Sequence, residues 1–115
     1  MPPQNTDKEA SVAVAMLQTA EMFTKEIYDQ VSEKMFGHTD MRPEEAPEGL
    51  ILHSAGQGDR GWYVYDIWES REAFERFSDE KLMPAIKEVM GDVQPPPEAA
   101  PQFYDAQVVV IPRPA

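Results

Sequence analysis

The segment 49–69 constrains this chain more than any other. Two runs rich in aromatic and β-branched residues, 50–55 and 62–68, flank Gly56-Gln57-Gly58-Asp59-Arg60-Gly61. Two such runs joined by a short glycine-bearing loop predict an antiparallel hairpin. If the loop holds an even number of residues and is centred between Asp59 and Arg60, positions whose numbers sum to 119 face each other. His53 then opposes Asp66 and Ile51 opposes Trp68. An odd loop would instead set Tyr65 or Ile67 opposite His53.

Around this hairpin the remaining pattern supplies one strand and one helix on each side. Residues 12–17 are apolar at both parities, as expected of a strand covered on both faces. Ile27, Tyr28, Val31 and Met35 recur at helical spacing, with Thr24 as N-cap, Thr19 as a rival start and Gly37 as the closing residue. The polar stretch 38–48 reads as a long loop that covers part of the molecule. Ser70 caps a second helix carrying Phe74, Phe77 and Leu82, and Pro84 predicts a kink at Met83 with a restart through Ile86, Val89 and Met90. Residues 94–102, with Pro95-Pro96-Pro97 and Pro101, read as an extended connector, and 103–111 as the last strand.

The order β-α-β-β-α-β predicts an α+β ferredoxin-like fold: a four-stranded antiparallel sheet with its helices on one face. Residues 1–10 are expected to form a loose tail and 11–112 the single domain. The uncovered face would carry a large apolar patch, which monomers rarely tolerate, so the expected partner is a second copy of the chain.

Charge and composition exclude several functions. Ten basic against twenty-one acidic side chains give a net charge of −11, which repels nucleic acid and anionic membranes alike. Cysteine is absent, removing disulfides and thiolate chemistry, and two distant histidines show no metal-ligand spacing. No glycine-rich phosphate loop opens a helix, so no nucleotide or flavin cofactor is expected. The apolar runs are too short to span a bilayer, and Met1-Pro2-Pro3-Gln4-Asn5 carries no export signal, so the expected location is the cytoplasm.

The pair His53 and Asp66 is the candidate catalytic centre. A carboxylate beside imidazole fixes its tautomer and raises its basicity, as a general base requires; the alternative is a cross-strand hydrogen bond that only pins the register. By parity Trp62 and Trp68 share a sheet face with Asp66, either lining a ligand cavity or filling the core. Tyr63 and Tyr65 lie on the opposite face. Tyr28, Tyr65, Trp62 and Trp68 are the candidate ligand-binding residues, and His38 is expected to face solvent.

Gly61-Trp62, Asp66-Ile67-Trp68-Glu69-Ser70, the spacing of Ala73, Phe74 and Phe77, and Leu82 with Pro84-Ala85 resemble the dimeric α/β-barrel superfamily, among small proteins similar to antibiotic-biosynthesis monooxygenases. The resemblance covers roughly residues 24–111. It implies a homodimer without cofactor that takes a small apolar or aromatic ligand: a monooxygenase, isomerase or cyclase acting on an aromatic or polyketide-like molecule, or else a non-catalytic binding or accessory module. It also implies that some members use a pair like His53 and Asp66. The haem-degrading branch uses an Asn, Trp and His set, and Asn5 is the one asparagine of this chain.

Overall fold

The computed structural model describes residues 12–112; the expected tail, 1–10, and Ser11 lie outside them. The chain runs β1 (Val14–Thr19), α1 (Lys25–Phe36), β2 (Leu50–Gly58), β3 (Gly61–Trp68), α2 (Arg71–Phe77), α3 (Met83–Met90) and β4 (Gln102–Asp105). The sheet order is β2-β3-β1-β4 with every neighbour antiparallel. This is the ferredoxin-like α+β topology the sequence predicts.

The local signals act where the residue types require. Thr24 is extended and accepts from the N–H of Ile27, so α1 starts there and not at Thr19. Gly37, at φ 85°, closes α1 in the left-handed region. Ser70 accepts from the N–H of Ala73 at the start of α2. Between α2 and α3 the backbone widens: the Met83 N–H bonds the Ser78 carbonyl five residues back. That wider turn accommodates Pro84, which has no N–H to give and sits in the first turn of α3.

Side chains of one sheet face make the core. Val14, Met16 and Trp68 pack with Ala73 and Phe74 of α2, and Leu50, Val64, Phe77 and Phe103 close around them. Trp68 is the hub at 1% exposure, its ring 5.6 Å from Phe74 and 5.5 Å from Phe77. Burying an aromatic of this size contributes roughly 2–3 kcal/mol. The alternate set, Leu17, Tyr63, Tyr65 and Ile67, points away from this core, beside Leu52 and Tyr104, which are 43% and 52% exposed.

Three expectations need correction. The hairpin loop is Asp59-Arg60, so pairs summing to 119 hold from Leu52↔Ile67 to Gly58↔Gly61, but a bulge at Ile51 places Leu50, not Ile51, opposite Trp68. The first strand is displaced to Val14–Thr19. The last strand stops at Asp105, because its partner β1 begins at Val14; after Ala106 N–H bonds the Ala13 carbonyl, no further ladder forms among the described residues. Val108, Val110 and Ile111 are consequently 82%, 78% and 66% exposed.

Candidate active site

Between the helices and the sheet lies a cavity of about 410 Å³. α1 contributes Tyr28, Val31 and Met35; α3 contributes Met83, Ile86 and Met90; the sheet contributes Met16, His53, Trp62 and Asp66. The loop 37–49 adds Met41 and Pro47, consistent with a covering role. The proline connector is not a bare spacer, for Pro95 to Pro97 and Pro101 form one wall. Gln18 of β1 fastens it, donating from Nε2 to the Ala99 carbonyl at 2.9 Å, and Ala99 is 1% exposed.

Gly61 sets the position of α1 over the sheet. A Cβ there would stand 2.2 Å from the Ala20 carbonyl oxygen, and its φ of 113° suits glycine alone. The turn before α1 can therefore dock on β3, where Trp62 N–H bonds the Phe23 carbonyl at 3.1 Å. From that anchor, one turn of helix brings Tyr28 above His53.

Four side chains then form a continuous hydrogen-bonded line. His53 Nδ1 lies 2.7 Å from Asp66 Oδ1, and Trp68 Nε1–H donates to Asp66 Oδ2 at 3.2 Å. On the other side of the imidazole, the Tyr28 hydroxyl is 2.5 Å from His53 Nε2, with the two rings parallel at 6.0 Å. Asp66 is 5% exposed. A carboxylate only accepts, so a neutral His53 carries its proton on Nδ1 and accepts from Tyr28 through Nε2. Burial first, then the charges of Asp66, Asp40 and Asp29, push the Tyr28 phenol up to about 12. Tyr28 is thus a neutral hydroxyl at ordinary pH.

The sequence-derived residues divide cleanly. His53 and Asp66 face each other across β2 and β3 as the even loop requires. Trp62, Trp68 and Tyr28 line the cavity; Tyr65, paired with Ser54 on the opposite face, does not. Trp68 is both core and cavity wall, whereas Trp62 stands beside Tyr28 with ring centroids 5.4 Å apart. His38 is partly exposed, its side chain at 26%, and is held in place, with Nδ1 2.7 Å from the Thr39 carbonyl oxygen and Nε2 2.7 Å from Glu45 Oε2. The Thr39 carbonyl and then Glu45 raise the His38 pKa. Sequence reasoning missed Gln18 and the proline wall, whose bond joins residues 81 positions apart.

Among the described residues, no helix is long and apolar enough to cross a membrane. No family model matches the chain, and no curated protein matches it. Among solved structures, a Bacillus cereus protein provisionally named an antibiotic biosynthesis monooxygenase is 21% identical over 90% of this chain and 96% of its own, with a TM-score of 0.37. At that score the likeness carries no argument, and the ferredoxin-like assignment rests on the strand order and pairing of this chain alone.

Proposed function

We propose that this chain is a cofactor-independent enzyme that removes a proton from carbon in an aromatic or polyketide-like molecule bound in the cavity. The observation carrying this reading is the Tyr28–His53–Asp66 line at the wall of a mostly apolar chamber. Tyr28 oxygen takes the substrate proton as its own passes to His53 Nε2, and the imidazolium formed is held by Asp66 through Nδ1. Most of the lining is apolar, so charges formed there interact more strongly than in bulk water.

The resulting carbanion has three fates. Reprotonation at another carbon is isomerisation, and attack on a carbonyl of the same molecule is cyclisation. Transfer of its electrons to dissolved dioxygen is oxygenation, in which a CH2 and O2 give C=O and H2O. The chain acts as a homodimer in cytoplasm, with the open sheet face of Leu52 and Tyr104 against its twin.

The test is deuterium exchange at the methylene of anthrone, a tricyclic ketone, in D2O without oxygen. Wild type should accelerate exchange, and His53→Gln should lose roughly 10²–10⁴-fold of that acceleration. A competing reading, a non-catalytic binding module, is favoured by the engagement of both Asp66 oxygens with protein donors. Wild-type exchange no faster than buffer would leave that reading standing and end the enzymatic one.

A further inference from the structure

The cavity's lining specifies the electrical character of what enters it. Five of the chain's seven methionines, Met16, Met35, Met41, Met83 and Met90, line it. Unbranched thioethers repack around irregular shapes and contact aromatic rings favourably. Polar side chains in the lining are few: Tyr28, His53 and Asp66, joined in one hydrogen-bonded line, with Gln18, Thr24 and Ser32. Among the described residues, no lysine or arginine lines the cavity.

The cations nearby do not change this. Lys25 is bound to Asp29 at 2.7 Å, Lys34 pairs with Glu88 at 3.6 Å, and exposed Lys81 lies over the Phe36 ring at 5.9 Å without itself lining the space. An anion entering would leave water for a chamber whose one carboxylate, Asp66, is already buried beside it. Burying an unpaired charge is costly, and a like charge adds to the cost. We propose that the site is an adaptable receptor for uncharged aromatic molecules that rejects carboxylates, sulfonates and phosphorylated carriers. This rests on the ligand-binding half of the function proposed above and is independent of turnover.

Two fluorescent probes of one scaffold test it: N-phenyl-1-naphthylamine, which is neutral, and 1-anilinonaphthalene-8-sulfonate, which adds a single negative charge. The neutral probe should bind at least tenfold more tightly. In protein labelled with 13C at the methionine methyls, it should shift the resonances of the cavity methionines and leave Met22 in place, since Met22 does not line the space. Met83 is 52% exposed at the rim, so Met83→Lys can keep its new charge hydrated while facing the chamber. That variant should raise the affinity for the sulfonate relative to that for the neutral probe by at least tenfold.

Equal affinities, a neutral probe that shifts none of the five methyls, or a Met83→Lys variant blind to the sulfonate would overturn the proposal. Selective binding of the neutral probe by a protein that fails to exchange anthrone would overturn the enzymatic reading alone.

Discussion

Asp66→Asn tests the hydrogen-bonded line at its buried carboxylate. The carboxylate receives two donors, His53 Nδ1–H at 2.7 Å and Trp68 Nε1–H at 3.2 Å. Asparagine has nearly the same shape but one acceptor oxygen and one NH2. If its oxygen stays toward His53, the NH2 confronts the indole N–H of a residue that is 1% exposed, and that donor loses its partner. An orphaned buried donor costs about 1–3 kcal/mol, and exchanging a charged acceptor for a neutral one at His53 costs about 1 kcal/mol more. The sum is roughly 2–4 kcal/mol. For a chain of this size, at about 4 °C per kcal/mol, the melting temperature should fall by roughly 8–16 °C. A domain of ordinary stability, about 5–15 kcal/mol, remains folded after such a loss.

The alternative orientation is equally diagnostic. If the amide oxygen turns to Trp68, its NH2 faces His53 and forces the ring proton onto Nε2, where it meets the Tyr28 hydroxyl. Tyr28 must then accept instead of donate, and the proton path through Nε2 closes. Thermal denaturation gives the stability loss, and 15N spectra of the imidazole and the Trp68 indole say which donor was abandoned. A melting temperature within 2 °C of wild type, with both 15N signatures unchanged, would refute the reasoning, because the two contacts would then contribute nothing.

Tyr28, pushed up to about 12 by burial and by Asp66, Asp40 and Asp29, favours the neutral form in the fold. Its contribution is whole below pH 10 and is lost as pH rises from 10 to 12; allowing for solvent at this half-buried ring it amounts to about 1–2 kcal/mol, visible as the difference between wild type and Tyr28→Phe in urea melts. His38, raised by the Thr39 carbonyl and Glu45, adds stability below pH 6.5 that fades as pH passes its raised value. Glu45 is lowered by the Arg42 N–H and then His38, so it adds stability above pH 4.5 that fades as pH falls. A proton-NMR titration should show Glu45→Gln bringing His38 down; no movement would separate the two residues. Gly61→Ala should cost about 3 kcal/mol or more, from a Cβ 2.2 Å from the Ala20 carbonyl at φ 113°, whereas Gly37→Ala, with open space around it, should cost about 1–2 kcal/mol in denaturant titrations. Paired Leu52→Glu and Tyr104→Glu changes should convert a micromolar dimer to monomer by sedimentation; a wild-type monomer at that concentration would remove the shielded-face argument.

The candidate pair was legible as one of two registers, because hairpin register is a local property. An even loop centred on Asp59-Arg60 places His53 against Asp66, an odd one does not, and only the structure shows the even loop. Tyr28 was legible as a member of an apolar helical stripe, but its bond to His53 was not, since it depends on how α1 crosses the sheet. The proline connector misled for a related reason. A run without N–H donors reads as a spacer, yet the Ala99 carbonyl still accepts, and its donor is Gln18 on a distant strand.

The bulge at Ile51 marks where local counting ends. Leu50, Ile51 and Leu52 are all apolar, so alternation cannot choose which of them faces the core. The choice comes from α2. Gly49 at φ 92° lets the chain pass so close to Ala73 that a Cβ would stand 2.5 Å from the alanine methyl, and Glu69 N–H bonds the Gly49 carbonyl at 2.7 Å. Held there, Leu50 falls opposite Trp68 and joins the core, while His53, three residues on, still faces the cavity. An unbroken strand would send residues three apart to opposite faces, so one extra residue must lie between them. The bulge therefore lets a single strand serve the core at one end and the proton-transfer line at the other. Without Ile51 the same strand would run as a regular ladder, with Leu50 two residues from His53 and on its face, opposite Trp68 as now; the bulge is what lets a three-residue spacing achieve the same result.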